Sequence, residues 1–262
     1  MSYQDITFEQ QGHIGVVTLN RPKAMNAISE TMLVEFSDLF PKLEQDNEIR
    51  VVVMTGEGKA FCAGADLKML LDDMKGGAKP APNFWTRARE GFGAPANFSK
   101  PMVVAINGIA CAGGLELAMA GDIVLAGESA QIADAHANFG VFPGAGGSVT
   151  LSRKIPWNAA NYLLFTGEFV SAQRMKEWGL VLDVVADDKL LGTAMELAGK
   201  IASKSPIGLQ RMKQMVKDGA DMPLASALRA EMNVLNMHTR SHDLMEGLTA
   251  FGEKRQPEFK GY

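Results

Sequence analysis

Two turns rich in glycine and alanine carry the clearest chemical signal in the sequence. One covers residues 59–68 and the other residues 107–118, and each follows a predicted strand. Small side chains let a ligand approach the backbone closely, and a helix that begins at such a turn points free N–H groups toward it. If the fold brings the turns together, they offer two N–H donors to one oxygen atom, which is an oxyanion hole. Taken singly, the glycines of either turn are explained as well by a tight bend or by close helix packing.

Several other kinds of site have no motif in the sequence. It contains no phosphate-binding G-x-x-x-x-G-K-[ST] loop, no serine elbow G-x-S-x-G and no zinc-binding H-E-x-x-H. The four histidines are scattered, and only His238 and His242 share helical spacing, so we predict no metal site. Cys62 and Cys111 form no disulfide framework, and we interpret them as small packing residues in a reducing compartment.

The composition is that of an ordinary globular protein. Of the 262 residues, 47% are apolar and 21% are charged, and 26 basic against 30 acidic residues give a net charge of −4. This mix excludes a disordered chain, and the acidic balance argues against a surface for nucleic acid or anionic membranes. The N-terminus has no charged segment followed by an apolar run, and no apolar run approaches the length of a membrane span. We therefore expect a soluble, cytoplasmic protein without a signal peptide and without a nucleic-acid or membrane partner.

The elements that must position the two turns alternate between strand and helix in the first half of the chain. Apolar runs predict strands at residues 14–19, 51–54, 102–106, 122–126 and 180–182. Runs this apolar are typical of strands covered on both faces, as in α/β folds. Ser29 is the predicted N-cap of an amphipathic helix that Pro41 kinks or interrupts. Residues 74–86, rich in Gly, Pro and Lys, are interpreted as a mobile loop.

The last quarter of the chain contains helix signals only. Apolar residues recur at helical spacing in three stripes, over residues 190–201, 224–235 and 244–251. They carry more apolar surface than a lone tail hides, so they pack either on the chain's own core or on another subunit. We divide the chain into a core, residues 1–200, and a helical oligomerisation region, residues 201–262.

Taken together, the two turns and their flanking segments resemble the crotonase superfamily, that is, the enoyl-CoA hydratase/isomerase family. The resemblance extends from residues 20–27 to residues 246–255, and includes Pro143–Gly147 and Leu164–Gly167 between them. It implies an α/β fold built as a spiral of ββα units, followed by C-terminal helices that form a homotrimer or a hexamer, a dimer of trimers. It also implies an acyl-CoA thioester as substrate and no cofactor, since coenzyme A is part of the substrate.

The resemblance also implies roles for individual residues. The backbone N–H groups of Ala65 and Gly113 match the oxyanion-hole donors that bind the thioester oxygen. Glu116, three residues after that glycine, matches the first catalytic glutamate of the hydratases. The positions that border coenzyme A are matched by Lys23, Ala24, Ala63, Asp66, Leu67, Phe251 and Lys254, the last two commonly reaching a neighbouring subunit.

The sequence departs from the family pattern at the second catalytic glutamate. His136 occupies that position, Asp134 lies two residues earlier, and no Glu occurs between Ser129 and Lys154. A simple enoyl-CoA isomerase relies on the missing carboxylate, so the departure argues against that reaction. For hydration, Glu116 can activate the water, while His136 or Asp134 holds it or delivers the proton.

Hydration of a 2-enoyl-CoA to a 3-hydroxyacyl-CoA, in fatty acid metabolism, is therefore our leading hypothesis. Hydrolysis of a β-diketone C–C bond or of a thioester uses the same oxyanion hole, and an Asp/His pair is compatible with it. Racemisation or decarboxylation through the enolate also stays open. A member of the family that binds RNA or CoA without catalysis is the hypothesis from a different class, and the acidic charge balance argues against RNA.

Overall fold

The computed structural model describes residues 3–75, 77 and 83–262. The strands are β1 (Ile6–Gln11), β2 (Ile14–Leu19), β3 (Val51–Gly56), β4 (Ala60–Cys62), β5 (Met102–Ile106), β6 (Ile109–Cys111), β7 (Ile123–Gly127), β8 (Gln131–Ala133), β9 (Val170–Ser171) and β10 (Asp183–Val185). The helices are α1 (Glu30–Gln45), α2 (Leu67–Lys75), α3 (Phe84–Ala96), α4 (Gly113–Met119), α5 (Gly147–Lys154), α6 (Trp157–Thr166), α7 (Ala172–Trp178), α8 (Leu190–Ala202), α9 (Pro206–Gly219), α10 (Leu224–His238) and α11 (His242–Glu253). Short 3₁₀ helices cover Pro22–Ala24, His136–Phe139 and Asp187–Lys189.

The strands form two sheets that the chain visits alternately. The larger sheet has the order β1-β2-β3-β5-β7-β10 and is parallel except for the β1–β2 hairpin. The smaller sheet has the order β4-β6-β8-β9, and β4, β6 and β8 run parallel. Three times a long strand of the first sheet is followed by a short strand of the second and then by a helix. This repeat is the spiral of ββα units, and it confirms the predicted α/β fold.

Both faces of the larger sheet are covered, which explains its apolar strands. Val52 and Val104 point into the main core between the sheets and α1, while their neighbours Val51, Val53 and Val103 point to the other face. That second face packs on α8 through Leu190, Ala194 and Ala198. Since side chains alternate along a strand, a strand buried on both faces reads as one continuous apolar run.

Several local predictions are confirmed and others are wrong. Ser29 caps α1 by accepting the N–H of Met32 at 3.0 Å, but α1 continues past Pro41 to Gln45. The strand predicted at residues 180–182 begins only at Asp183. Leu180 and Val181 are buried in the turn before it, so their apolar character comes from packing and not from a strand. Within the segment 74–86, residues 76 and 78–82 lie outside the described residues.

The three C-terminal stripes have different environments. The stripe on α8 packs on the larger sheet. The stripes on α10 and α11 face solvent in the single chain, where Leu224, Leu228 and Met232 are 75%, 52% and 54% exposed and Phe251 is 85% exposed. Helix α9, for which the sequence analysis identified no stripe of its own, precedes them. Of the helices described here, none has both the length and the apolar character needed to span a membrane.

Candidate active site

The carboxyl ends of β4, β6 and β8 meet at one edge of the smaller sheet. Because the three strands are parallel neighbours, the segments that follow them lie side by side. Those segments are 63–65 after β4, 112–116 after β6 and 134–136 after β8. The topology therefore brings together the two glycine-rich turns and the segment in which the sequence departs from the family pattern.

These segments border a cavity of about 350 Å³. Ala65, Gly113, Glu116 and His136 all line it, as do Ala63 and Leu67. The remaining wall is largely apolar and aromatic, contributed by Leu70, Phe84, Trp85, Ala88, Phe92, Phe139, Val141 and Phe142. A cavity with a few polar groups in an apolar wall is typical of a small-molecule site.

The N–H groups of Ala65 and Gly113 are both free to bind a ligand. Ile28 pairs with the chain beside Ala65 by donating to Gly64 O at 2.8 Å and accepting from Asp66 N–H at 3.0 Å, so the N–H of Ala65 faces away from Ile28. Gly113 is the first residue of α4, where an N–H has no partner within its helix. Across the described ranges, neither N–H donates a hydrogen bond.

The two turns are in direct contact. A Cβ atom added to Gly64 would lie 3.0 Å from Ala112 Cβ and 3.4 Å from Gly113 N, so a larger side chain there would separate the turns. Ala112 itself has φ 50° and ψ −121°, a conformation that costs a non-glycine residue ~1–3 kcal/mol. Its N–H donates to Ala133 O at 3.2 Å, which ties the strained turn to β8. The backbone of the second turn is thus held in place by the sheet.

Glu116 is a buried carboxylate with defined partners. Its Oε1 accepts the N–H groups of Ala145 and Gly147, each at 2.8 Å, and its Oε2 lies 3.8 Å from His136 Nε2. Burial raises the pKa of Glu116, and the two N–H groups and the charge of His136 oppose that rise without cancelling it. The carboxyl is therefore a better proton acceptor than an exposed glutamate.

His136 bridges two carboxylates. Its Nδ1 lies 3.0 Å from Asp134 Oδ1, and its Nε2 faces Glu116. Burial works to lower the pKa of His136, but the hydrogen bond and charge of Asp134, together with the charge of Glu116, outweigh it and raise the pKa. Asp134 is 1% exposed, and within the described part of the chain its Oδ2 has no hydrogen-bond partner. The imidazole thus keeps a proton at a higher pH than an isolated histidine does.

None of the remaining predicted site residues lines this cavity; these are Lys23, Ala24, Asp66, Phe251 and Lys254. Asp66 follows Ala65, and its Oδ2 is 3.2 Å from Arg21 Nη2. Lys23 and Ala24 lie in the 3₁₀ helix at Pro22–Ala24, which leads to Met25, whose carbonyl accepts the N–H of Ala63 at 3.0 Å. The cavity described above is not lined by Phe251 or Lys254, which lie at the end of α11.

The two cysteine thiols are poor nucleophiles. Burial raises the pKa of Cys62 to about 12 and that of Cys111 to about 11, so both stay protonated near neutral pH. Cys111 contributes to the cavity wall, and its Sγ donates to the carbonyl of Ala63 at 3.3 Å.

Sequence reasoning missed the backbone groups that hold Glu116. The turn at Pro143–Gly147 is one of the segments that carry the family resemblance. The sequence alone indicates no role for the N–H groups of Ala145 and Gly147 within it. The available signal is that this glycine-rich turn opens a helix, α5, whose first N–H groups need acceptors. Nothing in the sequence indicates that the acceptor lies on α4.

Comparisons with known proteins find relatives along nearly the whole chain. The family model of enoyl-CoA hydratase/isomerase matches residues 9–262. A 2,3-dehydroadipyl-CoA hydratase of Escherichia coli (strain K12) is 34% identical over 259 residues, 98% of this chain and 99% of that protein. A short-chain-enoyl-CoA hydratase of Clostridium acetobutylicum is 33% identical over 261 residues, 98% of each chain. The crystal structure of an enoyl-CoA hydratase from Bacillus anthracis has a TM-score of 0.92 at 36% identity, covering 99% of this chain and 100% of that one.

The packing around Glu116 predicts that any side chain added at Gly147 destabilises the fold. A Cβ atom there would lie 2.8 Å from Pro143 Cβ and 3.1 Å from both Glu116 Oε1 and Asp134 Oδ2. We expect Gly147→Ala to destabilise the fold by ~1–3 kcal/mol through overpacking, seen as a fall of several degrees in the thermal midpoint. Gly144→Ala is the matched control, because its added Cβ has no neighbour within 4 Å. Equal midpoints for the two variants would contradict the tight packing around Glu116.

Proposed function

Because this chain belongs to the enoyl-CoA hydratase/isomerase family, we propose that it adds water to the double bond of a 2-enoyl-CoA and forms a 3-hydroxyacyl-CoA. Relatives named as hydratases match nearly the whole chain at 33% to 37% identity. The observation that carries the proposal is the pair formed by Glu116 and His136. A carboxylate and an imidazole face one cavity 3.8 Å apart, beside two free backbone N–H groups.

The N–H groups of Ala65 and Gly113 bind the thioester oxygen. When water adds to C3, the electrons of the double bond move toward that oxygen and an enolate forms. Donors that are already fixed around the oxygen stabilise this charge without rearranging, and one such donor is typically worth ~3 kcal/mol. The strained backbone at Ala112, tied to β8, supports this role because it fixes the direction of the next N–H.

Glu116 and His136 divide the proton transfers between them. The Glu116 carboxylate takes a proton from water while the water oxygen bonds to C3, and the His136 imidazolium gives a proton to C2 of the enolate. Atoms and charge balance, because one water is consumed and both transferred protons come to rest on the chain or the product. After the product leaves, a water molecule that enters the site carries the proton from Glu116 to His136 Nε2, 3.8 Å away, and both groups are restored. The scheme contains no redox step, and residues of the chain carry out each of its proton transfers.

Asp134 is a positioning residue in this scheme. Its Oδ1 accepts from His136 Nδ1 at 3.0 Å, which orients the ring so that Nε2 faces Glu116 and the cavity. Its charge also favours the protonated imidazole. An imidazole in place of the second glutamate is therefore compatible with hydration, since it supplies the same proton to C2.

We place the coenzyme A portion along the first turn and its neighbours. Small or apolar side chains at Ala63 and Leu67 border the pantetheine, and Asp66, Lys23 and Ala24 lie toward the nucleotide. Phe251 and Lys254 lie outside the cavity of their own chain, so they reach the nucleotide of a neighbouring subunit. The side chain of Phe251 is 85% exposed in the single chain, which supports a position at a subunit contact.

We propose that the helical region 201–262 assembles the chain as a trimer or a dimer of trimers. The exposed apolar stripe of α10 supports this, because such a stripe is costly to leave in water.

Sedimentation is expected to give a mass three or six times the 28.2 kDa of one chain. Leu228→Glu is expected to lower that mass, whereas Gln10→Glu on β1, which adds the same charge, leaves it unchanged. A monomer at micromolar concentration for the unmodified protein would contradict the assembly.

Replacement of Glu116 tests the proton acceptor. In Glu116→Gln an amide oxygen still accepts from Ala145 and Gly147, but the side chain no longer takes a proton. We expect kcat/KM for a 2-enoyl-CoA to fall by ~10²–10⁴-fold, while the affinity for the 3-hydroxyacyl-CoA changes little. Glu196→Gln, on the exposed side of α8, is the control.

Mass spectrometry identifies the reaction, because hydration adds one water and retains CoA, whereas thioester hydrolysis releases free CoA. Near-normal turnover in Glu116→Gln would refute the assignment.

The pKa values of Glu116 and His136 are both raised, and together they predict a bell-shaped dependence of activity on pH. Glu116 must be ionised, so activity rises with pH through a pKa above the ordinary 4.5. His136 must be protonated, so activity falls as pH rises through a pKa above the ordinary 6.5. Asp134→Asn removes the hydrogen-bonded charge that raises the pKa of His136, and the alkaline limb is expected to move to lower pH. An alkaline limb that stays in place in Asp134→Asn would show that His136 does not set it.

A further inference from the structure

The direction of the Ala65 N–H is set by a single peptide plane. The C=O and N–H groups of a trans peptide point in opposite directions, and Gly64 O accepts the N–H of Ile28 at 2.8 Å. Gly64 has φ 89°, and a glycine in that region leaves the next peptide free to rotate unless a hydrogen bond holds it. The Ala65 N–H therefore points into the cavity only while Ile28 holds Gly64 O.

Ile28 belongs to a bend at residues 25–28 whose backbone is strained. Met25 and Asn26 have φ of 50° and 54°, in the left-handed region that glycine adopts freely and other residues adopt at a cost. The side chain of Asn26 is fully buried and accepts the N–H of Arg21 at 2.8 Å. It also donates to two carbonyls at the connection between β3 and β4, at 2.9 Å and 2.7 Å. Such a bend keeps its shape only where contacts of this kind hold it.

The guanidinium of Arg21 joins this bend to the first oxyanion turn. Its Nη1 donates to Ala27 O in the bend, and its Nη2 lies 3.2 Å from the Oδ2 of Asp66, the residue after Ala65. Its Nε lies 3.5 Å from Asp5 Oδ2, and Asp5 is buried just before β1. Because a guanidinium is planar and its donors are fixed relative to one another, these contacts hold three segments in one arrangement.

We propose that Arg21 is a positioning residue of the oxyanion hole, which holds the bend against residues 63–66 so that the Ala65 N–H points at the thioester oxygen. Arg21 does not line the cavity, so it acts through Ala27 and Asp66 and not on the substrate. The inference rests on the proposed function, because the direction of this N–H matters only if the thioester oxygen is bound there. The charge on that oxygen grows as the enolate forms, so a misdirected donor raises the barrier more than it weakens binding.

Replacement of Arg21 is the first test. Arg21→Met removes the guanidinium, and kcat for (E)-2-hexenoyl-CoA is expected to fall by roughly 10- to 100-fold, while KM stays close to that of the unmodified protein. Arg21→Lys keeps a charge beside Asp66 but lacks the fork that also reaches Ala27. Its kcat is expected to lie between those of the unmodified protein and Arg21→Met, and it serves for the same measurements if Arg21→Met does not fold.

Arg50→Met is the matched control. Arg50 is also half-buried and also donates to carbonyls of distant segments, to Ala202 O at 3.3 Å and to Phe259 O at 2.9 Å. Its loss is expected to lower the thermal midpoint by a few degrees, as in Arg21→Met, but to leave kcat unchanged. An equal fall of kcat in both variants would show that lost stability is the cause, and would refute the positioning role.

A spectroscopic measurement reports on the oxyanion donors without any reaction. Hexanoyl-CoA, isotopically labelled at its thioester carbonyl carbon, has no double bond to hydrate. Hydrogen bonds to the carbonyl oxygen lower its stretching frequency, so the frequency of the bound thioester is expected to be higher in Arg21→Met than in the unmodified protein or Arg50→Met. A frequency that is the same in all three proteins would contradict the role of Arg21.

The two measurements separate this inference from the proposed function. If no enoyl ester gains water but the carbonyl frequency rises in Arg21→Met alone, hydration is refuted and the positioning role stands. If enoyl esters are hydrated while kcat and the carbonyl frequency of Arg21→Met match those of Arg50→Met, the positioning role is refuted and the hydration proposal stands.

Discussion

The buried carboxylate of Glu116 constrains the arrangement of the whole site. An ionised carboxylate in apolar surroundings takes up a proton unless hydrogen-bond donors or a cation stabilise its charge. Two backbone N–H groups bind one of its oxygens, and an imidazole faces the other. These partners belong to the turn at Pro143–Gly147 and to the 3₁₀ helix at His136–Phe139, while Glu116 itself belongs to α4. The packing of three separate segments is therefore tied to one charge.

The imidazole of His136 beside the Glu116 carboxylate makes it easier to keep one group of the pair protonated than a second carboxylate would. Two carboxylates close together repel each other, and one of them keeps a proton near neutral pH only if its pKa rises by several units. Histidine holds a proton near neutral pH with a much smaller shift. His136 lies between Asp134 and Glu116, and both negative charges favour its protonated form. The pair thus offers an acceptor and a donor at the same pH, which is what addition of water across a double bond requires.

The sequence by itself determined the elements whose signals are local. The strand at residues 102–106 and the cap at Ser29 follow from an unbroken apolar run and from a side chain that accepts an N–H three residues away. The two turns and Glu116 were also identified from residue types and from the family resemblance. The strand predicted at residues 180–182 was wrong, because burial in a turn and burial in a strand give the same apolar run.

The tertiary structure alone decided which groups meet. Strands of three residues, such as β4, β6 and β8, are too short to show a periodic pattern, yet their parallel order brings the turns to one edge. The donors to Glu116 are the N–H groups of Ala145 and Gly147, which lie 29 and 31 residues away from it along the chain. The burial and the pKa of a side chain depend on such distant neighbours, and a local pattern of residues contains no information about them.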